Sequence, residues 1–141
     1  TPGRKRHLVV DVLGLVLLVV VHSASIQDGA GGLLTLQKLF DHIKHNLHNR
    51  WCRLKLIWAD GGYPSIIDAV RQRFGWTLQI VKRSDDVKGF QVLPHRWVVE
   101  RTFGWLGRYR RLARDYEHTT LSSESMVYIA SSRRMLKILA T

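Results

Sequence analysis

The chain has 141 residues, 45% of them apolar, which suits one ordinary folded domain and excludes a disordered basic tail. It carries 22 Lys and Arg against 11 Asp and Glu, a net charge of +11, and in a folded chain that excess points to a polyanionic partner, nucleic acid before acidic membrane. The one cysteine, Cys52, excludes an internal disulfide and suits a reducing compartment; beside Trp51 it reads as buried filler more readily than as a nucleophile.

In chain order, residues 6–10 and 15–21 are rich in β-branched and apolar side chains and bracket Asp11-Val12-Leu13-Gly14. That pattern predicts a two-stranded hairpin, with Gly14 supplying a turn conformation that other residues resist. The second strand is almost continuously apolar, as in a strand covered on both faces. Residues 8–21 form the most apolar run, but its 14 residues contain Asp11 and Gly14 and fall short of a membrane span. No small-residue cleavage site follows, so the run is not read as a signal peptide. Because the sequence opens on Thr1 and a basic run, it is expected to be a piece of a longer protein.

Residues 23–32 read as a polar, Gly-rich loop. Leu33, Leu36, Leu39, Phe40, Ile43 and Leu47 then recur at the spacing of an amphipathic helix over 33–46. Residues 54–59 are a short buried strand stopped by Asp60-Gly61-Gly62. A helix over 65–74 closes at Gly75, a strand follows over 77–81, and 84–93 is an exposed loop. Pro94 opens a long helix over 95–117, and Ser122 caps a final helix reaching 139. Strands alternating with helices after a hairpin predict an α/β domain with a mixed sheet.

Two acids stand where chemistry can be done. Asp60 ends a buried strand, the usual place for a ligand crevice in an open α/β sheet, and Gly61-Gly62 allows close approach of a substrate. The structural alternative is an Asx-turn with the two glycines. Glu100 falls on the long predicted helix. There Val98, Thr102, Trp105, Leu106, Tyr109, Leu112, Ala113 and Tyr116 form the core stripe. The opposite face collects Arg96, Glu100, Gly104, Gly107, Arg111 and Arg114. Guanidiniums match phosphate oxygens with paired donors, and glycines let a nucleic-acid backbone lie close. Glu100 is either part of that site or an ordinary salt-bridge partner of Arg96.

Two carboxylates suit Mg2+, which prefers oxygen ligands, and two such ions stabilise both oxygens of an in-line phosphoryl transfer. A third carboxylate is less legible. Asp11 reads as a turn residue, Asp28 as a helix cap, and Asp85 and Asp86 as solvated loop residues. The seven histidines show no zinc-ligand spacing, and no Gly-rich nucleotide loop is present.

The segments "GRKRHLVVDVLGLVLLVVVHSASIQDGAG", "LKLIWADGGY", "WTLQIVKR" and "VLPHRWVVERTFGWLGRYRRLARDYE" together resemble the C-terminal half of bacterial insertion-sequence transposases, nearest the IS-five family. The resemblance covers essentially the whole chain. It implies an RNase H-like core with an Asp-Asp-Glu triad that cuts and rejoins DNA with Mg2+ or Mn2+. Asp60 of "WADGGY" matches the second catalytic acid, and Glu100 of "RWVVERTFGWL" matches the catalytic glutamate, which makes both metal ligands. The family's signature runs tyrosine, two residues, arginine, three residues, glutamate, six residues, lysine. Arg96 and Glu100 fit it, whereas Leu93 replaces the tyrosine and Gly107 the lysine, with Arg108 next door.

The resemblance also places the first triad aspartate in a "DSQS"-like segment upstream of "GRKRH", before Thr1, and matches Asp11 to a hairpin-turn aspartate. The expected fold is therefore an RNase H-like mixed sheet flanked by helices, missing its first strand, in a single domain over 1–141. The leading reading is a transposase fragment, with Asp60 and Glu100 as metal-binding acids and Arg96, Arg108, Arg111 and Arg114 as phosphate contacts. This chain alone is expected to be inactive. Its expected partners are the DNA of insertion-sequence ends and target, in the cytoplasm, with dimerisation a family-based expectation and no membrane role. The alternative is a non-catalytic DNA-binding remnant of a degenerate transposase.

Overall fold

The structure, a computed structural model, describes residues 3–46, 54–81 and 96–141. Cys52, the expected loop over 84–93, Pro94 and His95 lie outside the described residues. The chain divides into two compact units, one formed by Thr1–Ile26 with Val98–Thr141 and the other by Gln27–Trp97.

In the first unit, β1 (Arg4–Val10) and β2 (Val16–Ser23) form the expected antiparallel hairpin, with Leu8 opposite Val19 and Arg6 opposite Val21. The turn is fixed by Asp11, whose Oδ1 accepts from the N–H groups of Leu13 and Leu15 at 2.9 Å each. Gly14 adopts φ +82°, which accounts for glycine there. The structural reading of Asp11 therefore holds.

Helix α3 (Arg96–Gly107), a short α4 (Arg110–Ala113) and α5 (Thr120–Leu139) complete this unit. Val19 and Val21 of β2 pack with Leu106, Leu112, Val127 and Ala130. Alternate amides of a strand point to one edge, and α5 side chains occupy that edge. Tyr128 Oη accepts from Val19 N–H at 3.0 Å, and Glu124 Oε1 from Val21 N–H at 2.9 Å.

One expectation is corrected here. The helix over 95–117 is two helices, because Gly104 and Gly107 weaken α3 and its end tightens. Arg108 N–H bonds Trp105 O at 3.2 Å, and Tyr109 N–H bonds Leu106 O at 3.0 Å, both three residues back. Tyr109 is then extended (φ −80°, ψ 118°) and α4 starts anew. The core stripe consequently stops at Leu112, and Ala113 and Tyr116 are exposed. α5 is capped by Thr119, in a capping box with Ser122 at the third helical position, and not by Ser122 itself.

The second unit holds α1 (Asp28–Asn46), β3 (Leu56–Ala59), a 3-10 turn (Pro64–Ile66), α2 (Ile67–Phe74) and β4 (Thr77–Ile80). β3 and β4 run parallel, with Ile57 opposite Leu78. Gly75 closes α2 in the left-handed conformation, as expected. Phe40, Phe74 and Trp76 form an aromatic cluster with ring centroids 5.1 to 5.9 Å apart. Leu36, Leu39, Ile66, Val70 and Leu78 are also buried.

α1 begins five residues before the expected start at Leu33. Gly29 and Gly32 are not loop glycines but helical ones that admit close neighbours. A Cβ on Gly29 would fall 2.6 Å from Ser65 Oγ, and one on Gly32 would fall 2.7 Å from the Tyr63 ring. The observed fold is thus mixed α/β, but the mixed sheet resolves among the described residues into one antiparallel and one parallel pair.

Candidate functional site

Asp60 follows β3 directly and is exposed. Its Oδ1 accepts from Gly62 N–H at 2.9 Å, so the Asx-turn anticipated as the structural alternative is present. That bond uses one oxygen and leaves Oδ2 outside the turn. A Cβ built on Gly62 would lie 3.2 Å from Asp60 Oδ1 and 3.5 Å from Asp28 Oδ2. Two carboxylates therefore approach the same small space, kept open by glycine.

Asp28 was expected only to cap a helix. It does lie in the first turn of α1, but the turn after β3 comes up against it. The signal in the sequence was the set of glycines on both sides, at 29, 32, 61 and 62, which marks close backbone approach. Tyr63 registers the pair: burial, then the charges of Asp60 and Asp28, push its hydroxyl up to about 12.

Glu100 is exposed on α3, with Val98, Thr102 and Leu106 buried on the opposite side. Gly104 and Gly107 are exposed with it, and a Cβ on either meets nothing within 4 Å. The expected clearing beside Glu100 is present. The next residue, Arg101, donates from Nη2 to Leu13 O at 3.1 Å and lies over the Trp105 ring, 4.5 Å from its centroid. Arg134 of α5 also lies over that ring. Burial and the like charge of Arg101 lower the Arg134 pKa, opposed by Tyr109. Thr102 Oγ1 contacts the carbonyl oxygens of Gly14 and Val98 at 3.0 Å each. Arg101 and Thr102, the two residues after Glu100, in this way bind α3 to the hairpin turn.

The candidate phosphate contacts divide. Arg96 begins α3. Arg108 lies at the break after α3, and Arg111 and Arg114 lie in and after α4, so they do not continue the Glu100 face along one helix. Arg108 and Arg114 are exposed, with no ion pair among the described residues. Arg111 Nε is 2.7 Å from Glu117 Oε1, and that hydrogen bond and charge raise the Arg111 pKa.

Oxygen donors of the Asp type suit Mg2+ or Mn2+. In the described residues the donors brought together are two carboxylates, and no group of three or more His, Cys, Asp or Glu is poised for a metal. The donor chemistry fits a divalent cation; the number of acids is smaller than a triad.

A family profile described as "Transposase DDE domain" matches residues 1–131, a span holding both Asp60 and Glu100. The chain belongs to the DDE transposase domain family. This DDE domain is also 35% identical over 118 residues to a Burkholderia cepacia protein named "Putative transposase for insertion sequence element IS402". That match covers 82% of the chain and 54% of the relative, so the chain spans about half the relative's length. No solved structure matches it. No helix among the described residues of the DDE domain is long and apolar enough to cross a membrane.

Proposed function

We propose that the chain is the part of an IS-five-type DDE transposase that supplies the second and third acids, Asp60 and Glu100, of an RNase H-like catalytic core. The match over 1–131, with both acids inside it, carries this reading. Asp60 and Glu100 are the family's acid ligands that this chain would carry for Mg2+ or Mn2+, which, when bound, supplies an activated water and charge neutralisation for in-line phosphoryl transfer. The rest falls to the chain's own groups. Gly62, Gly104 and Gly107 leave room for a DNA backbone beside the acids. Arg96, Arg108 and Arg114 neutralise phosphates, and Arg111 does so in exchange for Glu117. The first aspartate is supplied by residues N-terminal to Thr1, in one catalytic domain that acts on insertion-sequence ends and target DNA, as a dimer, at the bacterial nucleoid.

The second reading, a DNA-binding remnant without chemistry, draws on the grouping of two acids and not three among the described residues. Both readings predict DNA binding that weakens with salt. They separate on Mg2+-dependent nicking of a supercoiled plasmid by a polypeptide extended upstream through the "DSQS"-like segment. Catalysis predicts nicking that is abolished by Asp60→Ala and by Glu100→Ala. Nicking that persists in both variants removes Asp60 and Glu100 from the mechanism, and none in the extended wild type favours the remnant.

A further inference from the structure

Trp105 carries two guanidiniums, Arg101 from α3 at 4.5 Å and Arg134 from α5 at 3.0 Å from its ring centroid. Cation–π attraction accounts for one arginine on such a ring, but a second adds repulsion between the cations. Arg134 makes no hydrogen bond or ion pair among the described residues. Burial, and then the like charge of Arg101, act against its own charge. A shallow cavity between the hairpin turn, α3 and α5 is lined in part by Gly14, Trp105, Ser131 and Arg134. A Cβ on Gly14 would fall 3.4 Å from Arg101 Nη2, so Arg101 stands beside this cavity too.

Ser131 decides what the cavity suits. It is 7% exposed, and its Oγ has no hydrogen-bond partner among the described residues. A helical hydroxyl commonly bonds the carbonyl four residues back. Ser125 does so to Leu121 O at 3.0 Å on the same helix, and Thr35 to Gly31 O at 2.7 Å on α1. Ser131 does not, although a buried hydroxyl is seldom left without a partner. A hydroxyl donor beside a guanidinium whose N–H groups bond nothing described, backed by a second positive charge, matches an oxyanion. The planar donors of arginine match phosphate in particular. The cavity has room for about one water-sized atom, so it takes a single oxygen and excludes a base or a sugar.

We infer that Ser131 and Arg134, with the charge of Arg101 behind them, form a phosphate-binding site in which one phosphate oxygen enters the cavity. The phosphate is either a backbone phosphate of DNA or a free phosphate ion, since both present the same oxygens. The first source rests on the proposed DNA chemistry, whereas the site itself does not. A bound phosphate offsets the repulsion between Arg101 and Arg134 and gives Ser131 Oγ an acceptor.

The test has two arms. In the first, sodium phosphate is titrated into the isotope-labelled chain, with sodium chloride at matched ionic strength as the control. The Trp105 indole N–H signal is followed by NMR after its assignment with Trp105→Phe. The wild type is expected to give a saturable shift with phosphate alone. Arg134→Gln is expected to weaken phosphate binding by about 10- to 100-fold, and Ser131→Ala by about 3- to 10-fold. Ser131→Ala removes a hydroxyl that bonds nothing described, so in urea it is expected to be no less stable than the wild type. No saturable shift in the wild type, unchanged affinity in either folded variant, or a less stable Ser131→Ala chain overturns the inference. The second arm is an anisotropy titration of duplex DNA across a series of salt concentrations. With a DNA phosphate in the site, Arg134→Gln reduces the slope of log affinity against log salt by about 0.9. A full slope in Arg134→Gln, with the phosphate shift present in the wild type, assigns the site to free phosphate. If the wild type binds phosphate but no DNA, the site stands and the DNA reading fails; if it binds DNA but gives no phosphate shift, only the site fails.

Discussion

Thr102 Oγ1 lies 3.0 Å from the carbonyl oxygen of Gly14, joining α3 to the hairpin turn across 88 residues of sequence. Its hydroxyl hydrogen is shared between that carbonyl and Val98 O, also at 3.0 Å, and both Thr102 and Gly14 are buried. Thr102→Val keeps the shape but leaves Gly14 O without this donor and out of water, which costs about 1–3 kcal/mol. Thr102→Ser keeps the donor and loses one methyl, at about 1 kcal/mol. Urea denaturation of the two variants checks the order. Valine is expected to be the less stable, and equal stabilities would mean that the Gly14 contact contributes nothing.

Tyr63 gives the space between Asp28 and Asp60 a titration readout. With its hydroxyl at about 12, the folded chain keeps a proton that the unfolded chain releases near 10. Stability attached to Tyr63 is therefore intact below pH 10 and is lost as pH rises toward 12. Asp60→Asn removes the second of three causes, so the Tyr63 transition moves down without reaching the ordinary value, because burial is the largest cause. Absorbance titration at alkaline pH, with Tyr63→Phe to assign the transition, measures both effects. An unmoved transition in Asp60→Asn would separate the two side chains electrostatically.

How far the sequence disclosed this site depended on range. The hairpin, its Gly14 turn, β3 ending at Asp60 and the Gly75 stop are local patterns, and each stands close to where periodicity and glycine placed it. The helix break at Arg108 and Tyr109 was not legible, because an apolar stripe from 98 to 116 keeps its spacing on paper whether or not the helix continues. Leu112 reaches the core through the restart of α4 instead. Asp28 was missed for a different reason. A helix-start acid is explained locally by its cap, and only packing of the turn after β3 onto α1 reveals the second carboxylate. The arginines followed the same rule: their number was evident, but the Arg111–Glu117 pair was not.

Arg4 anchors the segment between α4 and α5. Its guanidinium donates to Asp115 Oδ2 at 3.1 Å, Glu117 O at 2.8 Å and His118 O at 2.7 Å. Burial acts to raise the Asp115 pKa, but the Glu117 N–H and the Arg4 hydrogen bond and charge outweigh it and hold the carboxyl below its ordinary range. A depressed carboxyl stabilises the fold above the unfolded pKa and loses that effect as pH falls through the folded one. Arg4→Gln is expected to lower stability by about 1–3 kcal/mol at neutral pH and to bring acid unfolding to higher pH. Thermal melts from pH 7 to pH 3 test this, and an unchanged acid limb would exclude Arg4 as the source.

The arginines after α3 make distinct predictions for DNA binding. Arg108 and Arg114 are exposed without an ion pair among the described residues, so a phosphate can meet them at little cost in lost contacts. Each phosphate contact contributes about 0.9 to the slope of log affinity against log salt. Arg108→Gln with Arg114→Gln is therefore expected to reduce that slope by about 1.8. Arg111 must exchange Glu117 for phosphate, which offsets part of its gain, so Arg111→Gln alone weakens binding less than Arg108→Gln. Glu117→Gln removes the competing negative charge and leaves only a neutral, weaker acceptor, so it is expected to tighten binding and steepen its salt dependence. Anisotropy titrations of a duplex across a series of salt concentrations give all four slopes. A full slope in the Arg108/Arg114 double variant would place the phosphate contacts elsewhere on the chain, and an unaltered slope in Glu117→Gln would leave Arg111 out of them.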